Sequence, residues 1–271
     1  MRIIILIIGV SFSLAAASSD RVEIAGMQGL GHTEYHLVTA ENIDQAYHVF
    51  VGLPESYSSS GDQVYATVYV LDGGALFPLI SAYHRYLIFA EDVPEVILVG
   101  ISYGTGDWQQ GNNRSRDYTA ATDEREYWGG AGKFQQFMSD ELLLMIESTY
   151  RSDPDRRIVF GQSLGGQFVL YTAQTRPELF WGHVASNPAL HRNLPFFLEQ
   201  HGPADSRSRL FVGSGSDDER RFRKPALKWI EHWTAMNSTP WRLRAVTLEG
   251  HNHHSAPPAA YRQGMKWLFA D

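Results

Sequence analysis

Four stretches of this chain are nearly continuous in apolar, β-favouring residues and end in or beside glycine. They are Val64 to Gly74 (VYATVYVLDGG), Glu95 to Ile101 (EVILVGI), Arg156 to Gly161 (RRIVFG) and Ser208 to Gly213 (SRLFVG). A strand apolar at every position has no face to offer solvent, so it belongs in a sheet covered by helices on both sides. Trp241 to Gly250 (WRLRAVTLEG) alternates apolar and polar residues and reads as a strand nearer the sheet edge. The segments between have helical period. In Lys133 to Tyr150, Phe134, Phe137, Met138, Leu142, Met145 and Ile146 fall on one face, and Tyr261, Gly264, Met265 and Leu268 repeat the spacing near the end. Strands alternating with helices dictate a mostly parallel sheet with right-handed crossovers. Residues Arg21 to Pro54 read instead as antiparallel, hairpin-like strands at the sheet edge. The predicted class is α/β: a mostly parallel central sheet with antiparallel N-terminal strands and helices on both faces.

With 271 residues, 44% of them hydrophobic, the chain can bury one sizeable core. No internal repeat or linker divides it. Residues 1–19 read as a signal peptide: Arg2 supplies the positive start, Ile3 to Leu14 the apolar stretch, and Ala15 to Ala17 the small residues at a cleavage site after Ala17. A stretch of twelve residues is short for a bilayer. The expectation is therefore an exported protein, periplasmic or secreted, with 20–271 as a single domain and no stable membrane insertion after cleavage. There is no cysteine, which excludes a disulfide framework and a lipid-anchored cysteine. A formal charge of −7 argues against nucleic acid as a partner.

Gly161-Gln162-Ser163-Leu164-Gly165 matches G-x-S-x-G in the context that motif requires, between a short apolar strand and a helix running from Leu164 to about Arg176, stopped before Pro177. A nucleophilic serine there sits on a tight turn with its oxygen projecting from the sheet edge. Side chains at 161 and 165 are expected to collide with the neighbouring helix and strand. The helix N-terminus behind Ser163 offers amides and a positive dipole end to a developing oxyanion. In such a site the acid and then the histidine follow the serine along the chain. The histidine falls in GHNHHS, where His251, His253 and His254 compete. Metal is disfavoured because no H-E-x-x-H or Cys/His spacing accompanies the cluster. Among the carboxylates between serine and histidine, those of GSGSDDE follow a buried strand directly, leaving Asp217, Asp218 and Glu219 as candidates; acids there also suit a helix start.

These segments resemble the putative esterase (esterase D-like) family of α/β-hydrolases, and most of all its exported bacterial branch with the periplasmic siderophore esterases. The resemblance runs from AYHVFVGLPESY through YVLDGGALF, NRSRDYTA, WGGAGKFQQFMSDEL and FGQSLGGQFVLYTAQTRPELF to GHNHHSAPPAAYRQGMKWLF. It implies Ser163 as nucleophile, His253 as base, Asp218 (counted from Gly215) as acid with Asp217 the alternative, and an oxyanion hole from the backbone of Leu164 and Gly74. It implies no cofactor and no metal. The chain departs from the family at SNPALHRN, where His191 and Arg192 stand in place of an expected tryptophan wall.

The function expected is hydrolysis of carboxylic esters through an acyl-enzyme, on a siderophore-type or other small acyl ester. The alternatives are an acyltransferase of the same fold, or a non-catalytic binding protein that has kept it. Arg116, Trp108 and His191 are candidate substrate contacts. Arg114, beside Arg116, could greet an anionic group, and Trp108, Tyr118, Tyr127 and Trp128 could line an aromatic cleft. The basic run Arg220, Arg221, Arg223 and Lys224 reads as a solvated face.

Overall fold

The strand Ile97–Ser102 (β4) is buried at all six positions, as a sheet covered on both faces requires. In the computed structural model, which describes residues 27–270, it lies inside an eight-stranded sheet of order β1-β2-β4-β3-β5-β6-β7-β8. The other strands are His32–Ala40 (β1), Gln45–Leu53 (β2), Tyr65–Val70 (β3), Ser152–Gln162 (β5), Gly182–Ser186 (β6), Arg209–Gly215 (β7) and Arg242–Leu248 (β8). β1 and β2 form an antiparallel hairpin, and β2 runs antiparallel to β4; all pairs from β4 to β8 are parallel. β8 closes one edge and β1 the other, while β2 lies one strand in. The expected signal peptide, residues 1–19, lies outside the described residues.

Alternation along each strand divides the apolar residues between two cores. Val68, Val70, Leu98, Phe160 and Val184 face helices α1 (Gly73–Phe89) and α8 (Ala256–Phe269). Tyr69, Val99, Ile101, Val159 and Val212 face the other side. That side is covered by α3 (Ala131–Phe137), α4 (Leu143–Thr149), α5 (Leu164–Thr175) and α7 (Arg220–Thr234), with the short turns α2 (Arg114–Asp117) and α6 (Leu194–Phe197). The helix expected over Lys133 to Tyr150 forms, but a π turn at Met138–Leu142 joins α3 to α4. The extra residue brings Leu143 to the buried side beside Phe134, Phe137, Met138, Leu142 and Ile146, while Met145 is only partly buried.

β6 is absent from the apolar runs of the sequence. Gly182 and His183 break its pattern, yet all five residues are buried because parallel neighbours β5 and β7 enclose it. Among the described residues no helix is long and apolar enough to cross a membrane. Because β3 to β8 run parallel, their C-terminal ends gather the loops that carry Asp72, Ser163, Asn187, Asp218 and His253. A crevice at that end of the sheet is where open α/β sheets place their ligands.

Candidate active site

Ser163 occupies the turn between β5 and α5 with φ 59° and ψ −115°, a backbone strain costing about 1–3 kcal/mol that persists only where surroundings impose it. They impose it here through hydrogen bonds. Ser163 N donates to Ser186 O at 3.0 Å, and Ser163 O accepts from Gln167 N at 2.9 Å and Ala189 N at 3.0 Å. A Cβ on Gly161 would press into the carbonyl group of Gly165, and one on Gly166 would lie 2.9 Å from Ser186 O. A Cβ on Gly165, by contrast, would meet Leu71 at 3.4 Å and Asp72 at 3.5 Å, ordinary contact distances. The expected collision therefore holds at 161 and moves from 165 to 166, since it is the second glycine of α5 that faces the end of β6.

Gly165's nearness to Leu71 and Asp72 also means that the N-termini of α5 and α1 converge. Leu164 is the first residue of α5 and Gly74 the second of α1. Amides in a helix's first turn have no intrahelical acceptor and lie at the positive end of its dipole. Asp72, just before α1, has φ 55° and is held by Arg114 through two bonds of 2.7 and 2.8 Å. Burial alone would favour loss of Arg114's proton, but the charge and hydrogen bonds of Asp72 outweigh it and raise its pKa. Arg114 thus keeps its charge beside the turn, paired with Asp72.

In the loop after β8, His253 Nδ1 lies 3.0 Å from Asp218 Oδ1 and 3.1 Å from Oδ2. The Asp218 carboxylate is almost fully buried and also accepts from Glu219 N at 2.7 Å. Asp217 is exposed, and its carboxylate accepts from Ser216 Oγ at 2.9 Å. The structure thus brings His253 together with Asp218 and leaves Asp217 facing solvent. The other histidines of the cluster have different partners or none of this kind: His251 Nδ1 is 3.0 Å from Ser255 O, and His254 is exposed. Among the described residues no group of three or more His, Cys, Asp and Glu side chains is placed to hold a metal ion.

Two side-chain amides tie the loops together. Gln162 Nε2, next to Ser163, donates to His253 O at 2.6 Å. Asn187, at φ 40° just after β6, accepts from Gly215 N at 2.7 Å and donates to Asn252 O at 3.2 Å. The strand ends carrying serine, acid and histidine are thereby joined by direct bonds.

A cavity of about 700 Å³ opens beside Gly74, walled by Phe50, Leu76, Tyr103, Asn112, Arg114 and Gln162. Arg114, not Arg116, lines it; Arg116 instead grips the buried Asp117 at 2.6 Å within the short turn α2. Trp108 is 75% exposed on a short turn and does not line the cavity, Tyr127 is also exposed, and Tyr118 is fully buried. Tyr118 is therefore core rather than cleft, its hydroxyl accepting from Asp72 N at 3.2 Å. His191 is half-buried, its ring set edge-on to Phe222 at 5.1 Å, and burial followed by the charges of Arg192 and Arg221 lowers its pKa. Of the basic run after the acid loop, Arg221 pairs with Glu219 at 2.8 Å and Arg223 reaches back to Gly215 O, so neither is simply solvated.

Gln162, Asn187 and Phe222 escaped the sequence reading. Gln162 stood in the motif as a variable position. Asn187 had one local signal, a residue tolerant of positive φ directly after a strand. Phe222 had none beyond its place four residues after Asp218.

A family model described as putative esterase matches residues 40–267. The ferri-bacillibactin esterase BesA of Bacillus subtilis is 32% identical over 259 residues, spanning 87% of this chain and 89% of its own. Among solved structures, the BES protein from Bacillus cereus superposes with a TM-score of 0.73 at 24% identity, covering 88% of this chain and 95% of its own. An IroE-like serine hydrolase from Shewanella oneidensis gives 0.73 at 22% identity, covering 88% and 80%. Both establish the α/β-hydrolase fold.

Proposed function

The chain belongs to the putative esterase family, as a serine hydrolase of carboxylic esters, and from that premise we propose that it works through Ser163, His253 and Asp218 by way of an acyl-enzyme. The observation that carries this reading is the bond from His253 Nδ1 to the buried Asp218, in a loop tied through Gln162 to the strand end bearing Ser163.

In this reading Asp218 fixes the tautomer that leaves His253 Nε2 free to accept a proton. Nε2 takes the Ser163 hydroxyl proton as Oγ attacks the ester carbonyl, and the carbonyl oxygen gathers negative charge. The amides of Leu164 and Gly74 stabilise that oxyanion, each worth roughly 3 kcal/mol. The tetrahedral species collapses, the C–O bond to the alcohol breaks, and His253 returns the proton to the departing oxygen. Water, deprotonated by the same imidazole, then releases the acid and restores Ser163. Every step uses side chains and amides of this chain.

The substrate proposed is a siderophore-type ester, by analogy with the relative named for ferri-bacillibactin. The cavity beside Gly74 supports an acyl or alcohol portion with aromatic and polar surface, since Phe50, Tyr103 and Asn112 wall it. We place the protein outside the cytoplasm on the strength of the N-terminal sequence pattern.

The test is hydrolysis of a short-chain p-nitrophenyl ester by the mature protein, beside Ser163→Ala and His253→Ala, with fluorophosphonate labelling mapped by mass spectrometry. Labelling confined to Ser163, and loss of both activities in the two variants, is the expected result. An unlabelled Ser163 in folded protein would reject the reading in favour of a binding protein.

A further inference from the structure

The segment that leads from β7 into the first turn of α7 delivers more to the site than Asp218. The phenyl ring of Phe222 lies against the His253 imidazole, with centroids 4.2 Å apart and planes inclined by 23°, a stacked pair. Phe222 follows Asp218 by four residues in one short, bonded segment. Glu219 N donates to Asp218 Oδ1 at 2.7 Å, Phe222 N donates to Glu219 O at 2.9 Å, and the Arg223 guanidinium closes on Gly215 O at the end of β7. One rigid piece of chain therefore touches the imidazole twice: a carboxylate meets its Nδ1, and a phenyl ring covers its face.

The two contacts restrain different motions. A carboxylate reaching Nδ1 with oxygens at 3.0 and 3.1 Å fixes where that nitrogen sits. Being nearly symmetric, it leaves the ring free to swing about the line joining Nδ1 to the carboxylate. Such a swing displaces Nε2, the nitrogen that takes the Ser163 proton in the proposed function. A flat surface nearly parallel to the imidazole opposes it. Phe222 is itself held in place, with the Arg221 guanidinium 4.5 Å from its ring centroid and the edge of His191 at 5.1 Å. Arg221 is in turn anchored to Glu219 at 2.8 Å.

We infer that Phe222 is a positioning residue of the reaction, an aromatic plate that sets the rotation of the His253 imidazole about its bond to Asp218 so that Nε2 faces Ser163. The inference rests on His253 acting as the base in the proposed function. It assigns Phe222 no contact with substrate, which separates it from a residue of the cavity wall.

The experiment compares Phe222→Leu, which keeps bulk and loses the plane, with Phe222→Tyr, which keeps the plane. Each is assayed for kcat and KM on a p-nitrophenyl ester and for thermal unfolding, with His253→Ala alongside. Phe222→Leu should lower kcat about tenfold, equivalent to about 1.4 kcal/mol, in keeping with the modest worth of one aromatic pair. Its KM should stay within about twofold of wild type, since an interaction made in the transition state rather than in substrate binding is lost. Phe222→Tyr should recover most of kcat. If Phe222→Leu does not fold, Phe222→Met supplies a second side chain without a plane. Wild-type kcat in the folded non-planar variant, a defect confined to KM, or a Tyr variant as impaired as Leu would overturn the inference. Should His253→Ala keep its activity, it is the proposed function that fails; an inactive His253→Ala beside an unimpaired Phe222→Leu defeats the positioning role alone.

Discussion

Acidification should destabilise this protein well before its carboxylates titrate, because two histidines are buried as neutral rings. His84, in α1, is buried against α8, with Nδ1 2.9 Å from Tyr261 Oη, and burial lowers its pKa from 6.5 to about 4. His183, enclosed in β6, is lowered by burial from 6.5 to about 3. In the unfolded chain both rings bind protons as the pH falls through 6.5; in the folded chain they stay neutral. Stability is thus complete above the unfolded value and declines as pH drops toward the folded ones. Between pH 7 and pH 5 each ring accounts for about 2 kcal/mol by proton linkage, and the pair for about 4 kcal/mol. That is a large share of a typical folding free energy of about 5–15 kcal/mol. Urea unfolding at pH 7 and pH 5 measures the difference, and His84→Gln with His183→Gln provides the control, since glutamine does not titrate. The double variant is less stable at pH 7 but should lose most of the pH slope. A slope equal to wild type would show that the decline comes from other groups and refute the reasoning.

Three further outcomes follow from the site. Asp218→Asn should reduce kcat by about 10³–10⁴-fold through the wrong imidazole tautomer, whereas Asp217→Asn should leave kcat unchanged; steady-state kinetics on one ester decide it. Asn187→Asp keeps the acceptor for Gly215 N but loses the donor to Asn252 O, so it should cost about 1–3 kcal/mol in a urea titration and lower kcat as the histidine loop loosens. Gly166→Ala forces a methyl to within 2.9 Å of Ser186 O. It should destabilise by about 1–3 kcal/mol, while Gly165→Ala, with ordinary contact distances, should cost less in the same thermal melt.

Much of this protein was legible in the sequence, for a local physical reason. Apolar runs such as Glu95 to Ile101 cannot be solvated on either face, so they dictated strands in a covered parallel sheet. The G-x-S-x-G turn was legible from its place between an apolar strand and a helix, although only Gly161 of its two glycines answers to a steric demand inside the motif. The hairpin before β3 and the alternating edge strand β8 were legible by period alone. The family resemblance then narrowed the histidine cluster to His253 and the acid to Asp218, with Asp217 still the alternative.

What remained is decided by residues far apart in the chain. β6 is a strand because β5 and β7 enclose Gly182–Ser186, which carries little apolar pattern of its own. Local sequence presents Asp217 and Asp218 alike as acids after a strand; the tertiary structure buries one against an imidazole 35 residues away and exposes the other. Arg114 and Arg116 sit two residues apart, yet Asp72 draws the first to the cavity wall and Asp117 turns the second aside. The bridging amides of Gln162 and Asn187 and the plate of Phe222 have partners 91, 65 and 31 positions away, distances over which no periodicity carries information. Sequence alone determined which elements form and which chemistry they carry, because both follow from local sterics and hydrophobic pattern. Only the tertiary structure decided which of several equivalent side chains meet, because that depends on where parallel strands end beside one another in space.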